Sequence, residues 1–561
     1  MDIALVGEGP AADAVEAALS DVDVNLLPVD ADLLDGFDLA VVVDTAGADV
    51  FGHATSEVDR VVAVEVGGVG GHALDDVDAS VSIFEGTCYD CLRQRVAASG
   101  PETADRPAGV RSAVRYAGAV AGRRTVQLLS GEPLGDTVVE VPGSERTFLP
   151  VPDCGCAAAR DRTLDREYRE VTLDEALERG EQAVDRRVGL LHEVGERESF
   201  PVPYYIASTC DTTAFSDAQA AEFAAGVSLD WNAAFMKAIG EGLERYSAGV
   251  YRSDAALRGT PDDVPNPVTP DQFVTPEPVD VTNESITWVQ GEHVASGEQA
   301  SLPAEFVRFP PAESRFRPSI TTGLGLGNSG VEALLAGLYE TVERDASMLA
   351  WYSTFDPLEL TVEDAEFAEL EKRATAEGLE VTALLLTVDV DVPVVAVGVH
   401  REGEWPRFAA GSDADLDPVA AARAALAEAL QNWMELRAMG QEEATKQGAA
   451  IGHHADFTAE TRRFFDPDVA VDTDGVGAPD VAGEEELETL LDRLADEGLD
   501  AYAARTTTRD LEALGFESVR ALVPSAQPLF TGDPYFGARA RNVPETLGFV
   551  PDLEREYHPF P

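Results

Sequence analysis

An α/β (α+β) protein is predicted, with a small Rossmann-like N-terminal domain followed by a much larger α/β domain. Three observations predict it. Short apolar runs alternate with Ala/Asp-rich segments over residues 1 to about 85. From about residue 198 onward, long helical stretches alternate with strand-like runs. The chain has 561 residues, more than the roughly 100 to 200 of one domain. Three units are expected: a Rossmann-like, 1–100; a cysteine-containing connecting region, 101–195; and the large domain, 196–561. Hydrophobic residues at 45% and aromatics at 7% supply buried cores rather than a disordered chain.

The N-terminal strands are read at IALVG (3–7), VNLLPV (24–29), LAVVVD (39–44), RVVAVEV (60–66) and VSIF (81–84). The first turn, GEGPAA, has a GxGxxA spacing, and Asp30 ends the second strand about 20 residues later, where a dinucleotide fold places its ribose-binding acid. Small glycine turns also serve plain strand-to-helix packing, and that is the reading taken. A small-residue helix is expected near 108–122, strands and loops up to CGC, a charged helical segment over 165–195, and a surface loop over the Asp/Pro-rich 252–280.

Acidic residues number 103 and basic ones 41, a net charge of −62. Such a field repels phosphate backbones, so nucleic acid is excluded as a partner. The acids are spread along the chain, and only Lys237, Lys372 and Lys446 are lysines. This even coating suits a halophile's cytosol, where concentrated salt screens the self-repulsion. MDIALVG has neither a basic n-region nor a long apolar core, and no window nears the 18 or so apolar residues of a membrane span. A cytoplasmic protein without membrane contact is expected.

Of five cysteines, four fall in two close pairs, Cys88 with Cys91 (CYDC) and Cys154 with Cys156 (CGC). Four thiolates can converge on one structural Zn²⁺, and no ligand position would remain open for chemistry. Cys210 is left over and is assigned to the core.

Two helical segments carry the same ExxER signature. LDWNAAFMKAIGEGLERYSAG contains Glu241, Glu244 and Arg245, and VEALLAGLYETVERDAS contains Glu340, Glu343 and Arg344. Residues three apart share a helix face, so each helix offers two carboxylates to one point, and the two helices together make a four-carboxylate cage. On a solvated face ExxER is ordinary, but these helices are otherwise rich in Ala, Leu and Gly, where inward acids need a cation. Hard oxygen ligands suit Mg²⁺, which bridges carboxylates to substrate phosphates. Lys237, one turn before Glu241, is either an ion-pair partner or a phosphate contact. TTGLGLGNSGVEA, ahead of the second helix, gives backbone N–H groups room to approach a ligand, with Asn328 and Glu332 one turn apart. It lacks the GK[ST] ending of a P-loop.

On these motifs residues 198–561 resemble the YcaO family, whose members bind ATP and Mg²⁺ through paired ExxER helices. In that family an acid precedes the second ExxER by eight residues, as Glu332 precedes Glu340, and an amide lies one turn earlier, as Asn328 does. GSDADLDPVAAARAALAEALQNW is similar to the third family helix, with Arg423, Glu428 and Gln431 as candidates for the ATP site. EYHPFP resembles the proline-rich end of the SagD-like branch, which lies near the active site, and the N-terminal unit resembles the E1-like, zinc-bearing domain of azoline-forming enzymes. The resemblance implies Mg²⁺ on Glu241, Glu244, Glu340 and Glu343; ATP contacts from Arg245, Asn328, Glu332, Arg423 and Glu428; and catalytic roles for Glu343, Arg344 and Pro561. It implies ATP-dependent activation of a peptide backbone amide, with cyclisation of Cys, Ser or Thr to an azoline. Thioamidation and a non-catalytic leader-peptide scaffold are the alternatives. A homodimer is expected, with a peptide substrate and a leader-binding or sulfur-delivery partner. No HExxH is present, and His453 with His454 is read as a surface pair.

Overall fold

The computed structural model describes residues 1–156, 160–253, 256–446 and 451–560. Seven strands form the N-terminal sheet, in the order Asn25–Pro28, Asp2–Val6, Leu39–Thr45, Arg60–Val66, Ala79–Phe84, Thr137–Val141, Ser144–Thr147. The first four are parallel and the last three antiparallel. Alternate residues of Arg60–Val66 enter different cores, Val61 and Ala63 on one face, Val62 and Val64 on the other. A strand covered on both faces needs this continuous apolar run.

The boundary expected at residue 100 falls inside this unit. Helix Arg111–Leu129 and the strands up to Thr147 complete the same sheet. The helix packs on Pro10–Leu19 so closely that a Cβ at Gly118 would lie 2.2 Å from the Ala11 carbonyl oxygen, so the small-residue pattern is a backbone contact. The GEGPAA turn serves this packing, with Gly9 preceding the helix at φ 98°. Only Leu173–Glu181 of the segment 165–195 is helical, started by a capping box between Thr172 and Glu175.

Three more sheets follow. Leu191–Glu198, Tyr204–Thr209 and Phe223–Val227 form an antiparallel sheet. A second runs Leu257–Gly259, Ile286–His293, Tyr502–Arg505, Glu517–Leu522, Leu324–Gly327. A third runs Phe408–Ala414, Val394–His400, Glu380–Leu385, Leu358–Thr361, Ala470–Asp472. Residues 256–280, the described part of the Asp/Pro-rich stretch after Ser253, are not a free surface loop. They supply an edge strand and bury Val264, Val268 and Phe273 beside Trp288, because an Asp/Pro-rich stretch still carries apolar residues at intervals.

One device repeats in the large domain: each of three strands lies under a helix at a glycine. A Cβ at Gly226 would lie 2.2 Å from the backbone nitrogen of Ala238; at Gly325, 2.1 Å from the Ala333 carbonyl oxygen; at Gly411, 2.4 Å from the Ala425 carbonyl oxygen. Any side chain would push the helix away. The three helices are Trp231–Gly249, Gly330–Trp351 and Pro418–Met439. Each starts at a side-chain cap: Asp230 accepts from the Ala233 N–H, Ser329 from Glu332 and Asp417 from Val419.

Candidate functional site

The strand–helix seats place six acids in one neighbourhood. Glu241 and Glu244 come from the first helix, Glu340 and Glu343 from the second, Glu428 from the third, and Asp413 from the strand beneath it. Backbone and hydroxyl donors fix them. The Ala225 N–H donates to Glu241 Oε2 at 2.5 Å and the Gly323 N–H to Glu340 Oε2 at 3.0 Å. Ser412 holds two acids at once: its Oγ donates to Glu343 Oε1 at 2.6 Å and its N–H to Glu428 Oε2 at 2.7 Å. Arg344 lies 3.5 Å from Glu343 and 3.8 Å from Glu340, while Arg245 pairs with Glu241 and donates to the Phe223 carbonyl at 2.9 Å.

Burial, reinforced by the charges of Glu340 and Glu241, pushes Glu244 up to about 8. Burial also pushes Glu343 up to about 8, opposed by Arg344 and reinforced by Glu428. Glu241, Glu428 and Asp413 are raised for the same first reason. Without cations these carboxyls favour protons; a divalent ion would restore their charge. The acids do not close into the single cage expected from the two ExxER helices. Among the described residues only the cysteines bring three or more candidate ligand atoms within 4.8 Å of one another. The carboxylates sit on separate helices and do not supply a complete ligand set, which suits cations whose remaining ligands come from phosphate oxygens.

Asn328 and Glu332 meet as their spacing predicted. Glu332 Oε2 accepts from the Asn328 N–H at 2.7 Å and from its Nδ2 at 3.1 Å. Asn328 Oδ1 is buried without a partner, an acceptor left for a bound group. The donor set and this orphaned oxygen fit a nucleotide held with hard cations. Arg423 does not join them: it forms an ion pair with Asp364 and lies 3.4 Å from Glu366, on the side of its helix facing Ala365–Ala376. Gln431 donates to Glu435 at 3.0 Å, and Glu435 also accepts from Tyr204 at 2.7 Å. Lys237 acts on Asp413, opposing the rise in its pKa.

Pro561 lies outside the described residues. The preceding tail is packed, with His558 and Phe560 buried. The Trp351 Nε1–H donates to the Glu556 carbonyl at 2.8 Å, tying the tail to the end of the second carboxylate helix. His454 is no surface residue. It is 2% exposed, with Nε2 2.6 Å from the Tyr557 carbonyl and Nδ1 2.8 Å from Thr461 Oγ1. The tail that covers it comes from 103 residues away, so its own neighbourhood in the chain gives no sign of the burial.

The four cysteine sulfurs converge. Cys88 lies 3.4 Å from Cys154 and 3.9 Å from Cys91, and Cys91 lies 3.6 Å from Cys156. Thiolates at tetrahedral corners around zinc, each about 2.3 Å from the ion, lie about 3.8 Å apart. The Val151 N–H donates to Cys91 and Arg509 Nη1 to Cys156, both at 3.3 Å. Cys88 and Cys91 open helix Tyr89–Ala98, and the same helix carries Arg95, which is fully buried. Arg95 pairs with Asp510 and donates to Tyr246 on the first carboxylate helix at 3.2 Å, a link no local spacing announced.

Acids gathered by glycine-seated helices, Glu343 buried and the others of the two ExxER pairs half-buried, define a class of enzyme that works through hard cations on phosphate. The description of the YcaO family, "YcaO cyclodehydratase, ATP- and Mg²⁺-binding", matches residues 225–527, more than half of the chain. The chain belongs to the YcaO family and is an ATP-dependent enzyme of the cyclodehydratase type. An uncharacterised protein of Methanothermobacter thermautotrophicus is 29% identical over 315 residues, 53% of this chain and 79% of its own length. A heterocyclase solved with substrate and cofactor superposes with a TM-score of 0.73 at 16% identity, covering 98% of this chain and 83% of its own. YcaO from Methanopyrus kandleri, bound with AMPPCP and Mg²⁺, superposes with a TM-score of 0.52 at 26% identity, covering 65% of this chain and 93% of its own. The likeness to the heterocyclase shows that the N-terminal unit and the large domain together form a known fold. No helix among the described residues is long and apolar enough to cross a membrane.

Proposed function

We propose that the enzyme cyclodehydrates Cys, Ser or Thr residues of a ribosomally made peptide to azolines. The side chain of the peptide residue attacks the preceding backbone carbonyl, the amide oxygen takes the γ-phosphate of ATP, and phosphate then departs with that oxygen. A poor leaving group becomes a good one, and ADP and phosphate account for the water removed. Glu241, Glu244, Glu340 and Glu343 are the residues to hold Mg²⁺, which when bound neutralises charge on the phosphates. Arg245, Asn328, Glu332 and Glu428 are assigned to ATP. Arg423, engaged with Asp364, is retained only if ATP draws it away. Arg344, between Glu340 and Glu343, is assigned to orient the carboxylates and meet developing charge. The tail ending at Pro561 is assigned to border the reacting amide, in the manner of the SagD-like branch.

The observation that carries this reading is the gathering of Glu244, Glu343 and Glu428, the second buried and the others half-buried, with Glu343 and Glu428 both held by Ser412 and all three raised in affinity for protons. The test is phosphate release from ATP in molar salt with Mg²⁺ and candidate peptides, for wild type and Glu340→Gln. Release that depends on peptide, is lost in the variant and accompanies loss of one water from the peptide supports cyclodehydration. Release with a mass change of sulfur for oxygen would point to thioamidation instead, and no ATP turnover under any condition would count against amide activation and favour the scaffold.

Four further assignments belong to this reading. Zn²⁺ at Cys88, Cys91, Cys154 and Cys156 is proposed as structural, supported by sulfur spacings that suit a tetrahedral ion. A high-salt cytosol is supported by the evenly spread charge of −62. A homodimer and a leader-binding or sulfur-delivery partner follow from the family and are to be read from light scattering and co-purification.

A further inference from the structure

A second concentration of charge lies apart from the carboxylates. A cavity of about 290 Å³ opens where the connecting segment meets the end of helix Trp231–Gly249 and strand Ile286–His293. Its charged lining is Arg160, Arg162, Arg252, Arg308 and Arg505 against Asp153 alone. The whole chain has 103 acids to 41 bases, so five cations to one acid inverts its composition. Arginines drawn together against that bias need a local reason.

Some of the five are already engaged. Arg505 pairs with Glu517 at 2.7 Å and Glu512 at 3.2 Å, and Arg252 lies 3.4 Å from Asp217. Arg160 donates to the carbonyls of Thr506 and Thr507, yet its Nε is buried without a partner. Arg162 and Arg308 make no ion pair among the described residues; Arg308 lies over the Tyr251 ring, 4.1 Å from its centroid. Burial, with the charge of Arg162 added, pushes Arg160 down to about 10, and burial lowers Arg162 and Arg308 too. Half-buried guanidinium groups facing one another are unfavourable unless an anion joins them.

We propose that this cavity is an oxyanion-binding site, taking a ligand that presents at least one carboxylate or phosphate group to Arg162 and Arg308. Gln290, Gln299 and Ser301 add neutral hydrogen-bonding groups to the lining, and the volume exceeds the roughly 30 Å³ of a water many times over. The cavity therefore has room for a ligand larger than a bare ion. Two sources supply this chemistry: acidic side chains of a peptide, or a free small anion. Ser247, which also lines the cavity, follows Glu244 by three residues, about 4.5 Å along the helix. An anion bound here thus touches the helix that carries the carboxylates. The proposal goes beyond amide activation and does not depend on it.

Titration calorimetry at fixed KCl, without Mg²⁺, uses pyrophosphate and a blocked Asp/Glu tetrapeptide as probes, with an Asn/Gln tetrapeptide as control. Saturable binding of an acidic probe is expected, at least tenfold weaker in Arg162→Gln and in Arg308→Gln, unchanged in Glu340→Gln, and absent for the neutral peptide. Which probe binds identifies the source. If neither acidic probe binds saturably, or if binding is the same in the arginine variants, the proposal is overturned. Melting temperature without ligand guards against misfolding. Removing an unpaired cation in Arg162→Gln should raise it, whereas a fall together with no binding identifies a structural strut and also overturns the site. Failure of peptide-dependent ATP turnover leaves this result untouched, so the two readings fail separately.

Discussion

Asp510→Asn should destabilise the protein more than any surface change, because it strands a buried cation. Arg95 and Asp510 are both fully buried. Arg95 Nε donates to the Leu149 carbonyl at 3.1 Å and Nη2 to that of Pro150 at 2.6 Å, while Tyr246 donates to Asp510 Oδ2 at 2.6 Å. The amide keeps the shape and removes the charge, leaving the guanidinium with neutral acceptors only. Breaking one side of such a pair costs about 3 to 5 kcal/mol. With a urea slope of about 3 kcal/mol/M, the unfolding midpoint in molar KCl, followed by tryptophan fluorescence, should fall by about 1 M or more. The double variant Arg95→Met/Asp510→Leu should recover most of that loss, since an apolar pair of similar volume carries no desolvation penalty. A midpoint within about 0.2 M of wild type for Asp510→Asn, on the same slope, would refute the idea that this pair clamps the cysteine helix to the first carboxylate helix. Equal losses in single and double variants would refute the electrostatic reason for it.

Ser412→Ala removes the hydroxyl that Glu343 accepts at 2.6 Å and a lowering influence on its pKa; the acid limb of the rate profile should move to higher pH, with kcat down by about tenfold. His454 and His558, both held down to about 4 by burial, bind a proton less readily folded than unfolded. Their contribution is present above pH 6.5 and is lost as pH falls towards 4, at most about 3 kcal/mol each; melting temperature should drop through that window, and the slope should flatten in His454→Gln. Stripping the cysteine site with a strong chelator should release one zinc per chain, counted by a colorimetric dye, and lower the melting temperature; no released metal would dismiss the site.

The two ExxER helices were readable because their signal is local: acids three apart on stretches of Ala, Leu and Gly leave one interpretation of which face is polar. The same holds for Asn328 with Glu332, and for the cysteine pairs, whose short spacings narrow the choices. What escaped depends on distant chain. His454 looks like surface because Tyr557 is 103 residues away. Ser412 and Asp413 stand in a plain GSD triplet whose importance comes from the helix beneath which it lies. Arg423 was assigned by resemblance to the third family helix, and a resemblance along one helix cannot tell which neighbour an arginine meets; Asp364 is that neighbour. The five-arginine cavity draws on segments from 160 to 505, so no window of sequence contains it.

The three glycines beneath the acid-bearing helices bear on how such a chain can change over time. Helix position there is set by main chain resting on main chain, not by the size of the apolar residues around it. Those residues are then free to shrink toward alanine and valine without carrying the carboxylates out of register. Mutational tolerance should accordingly be broader across the hydrophobic positions of these helices than at Gly226, Gly325 and Gly411, where a saturation library should recover almost nothing but glycine.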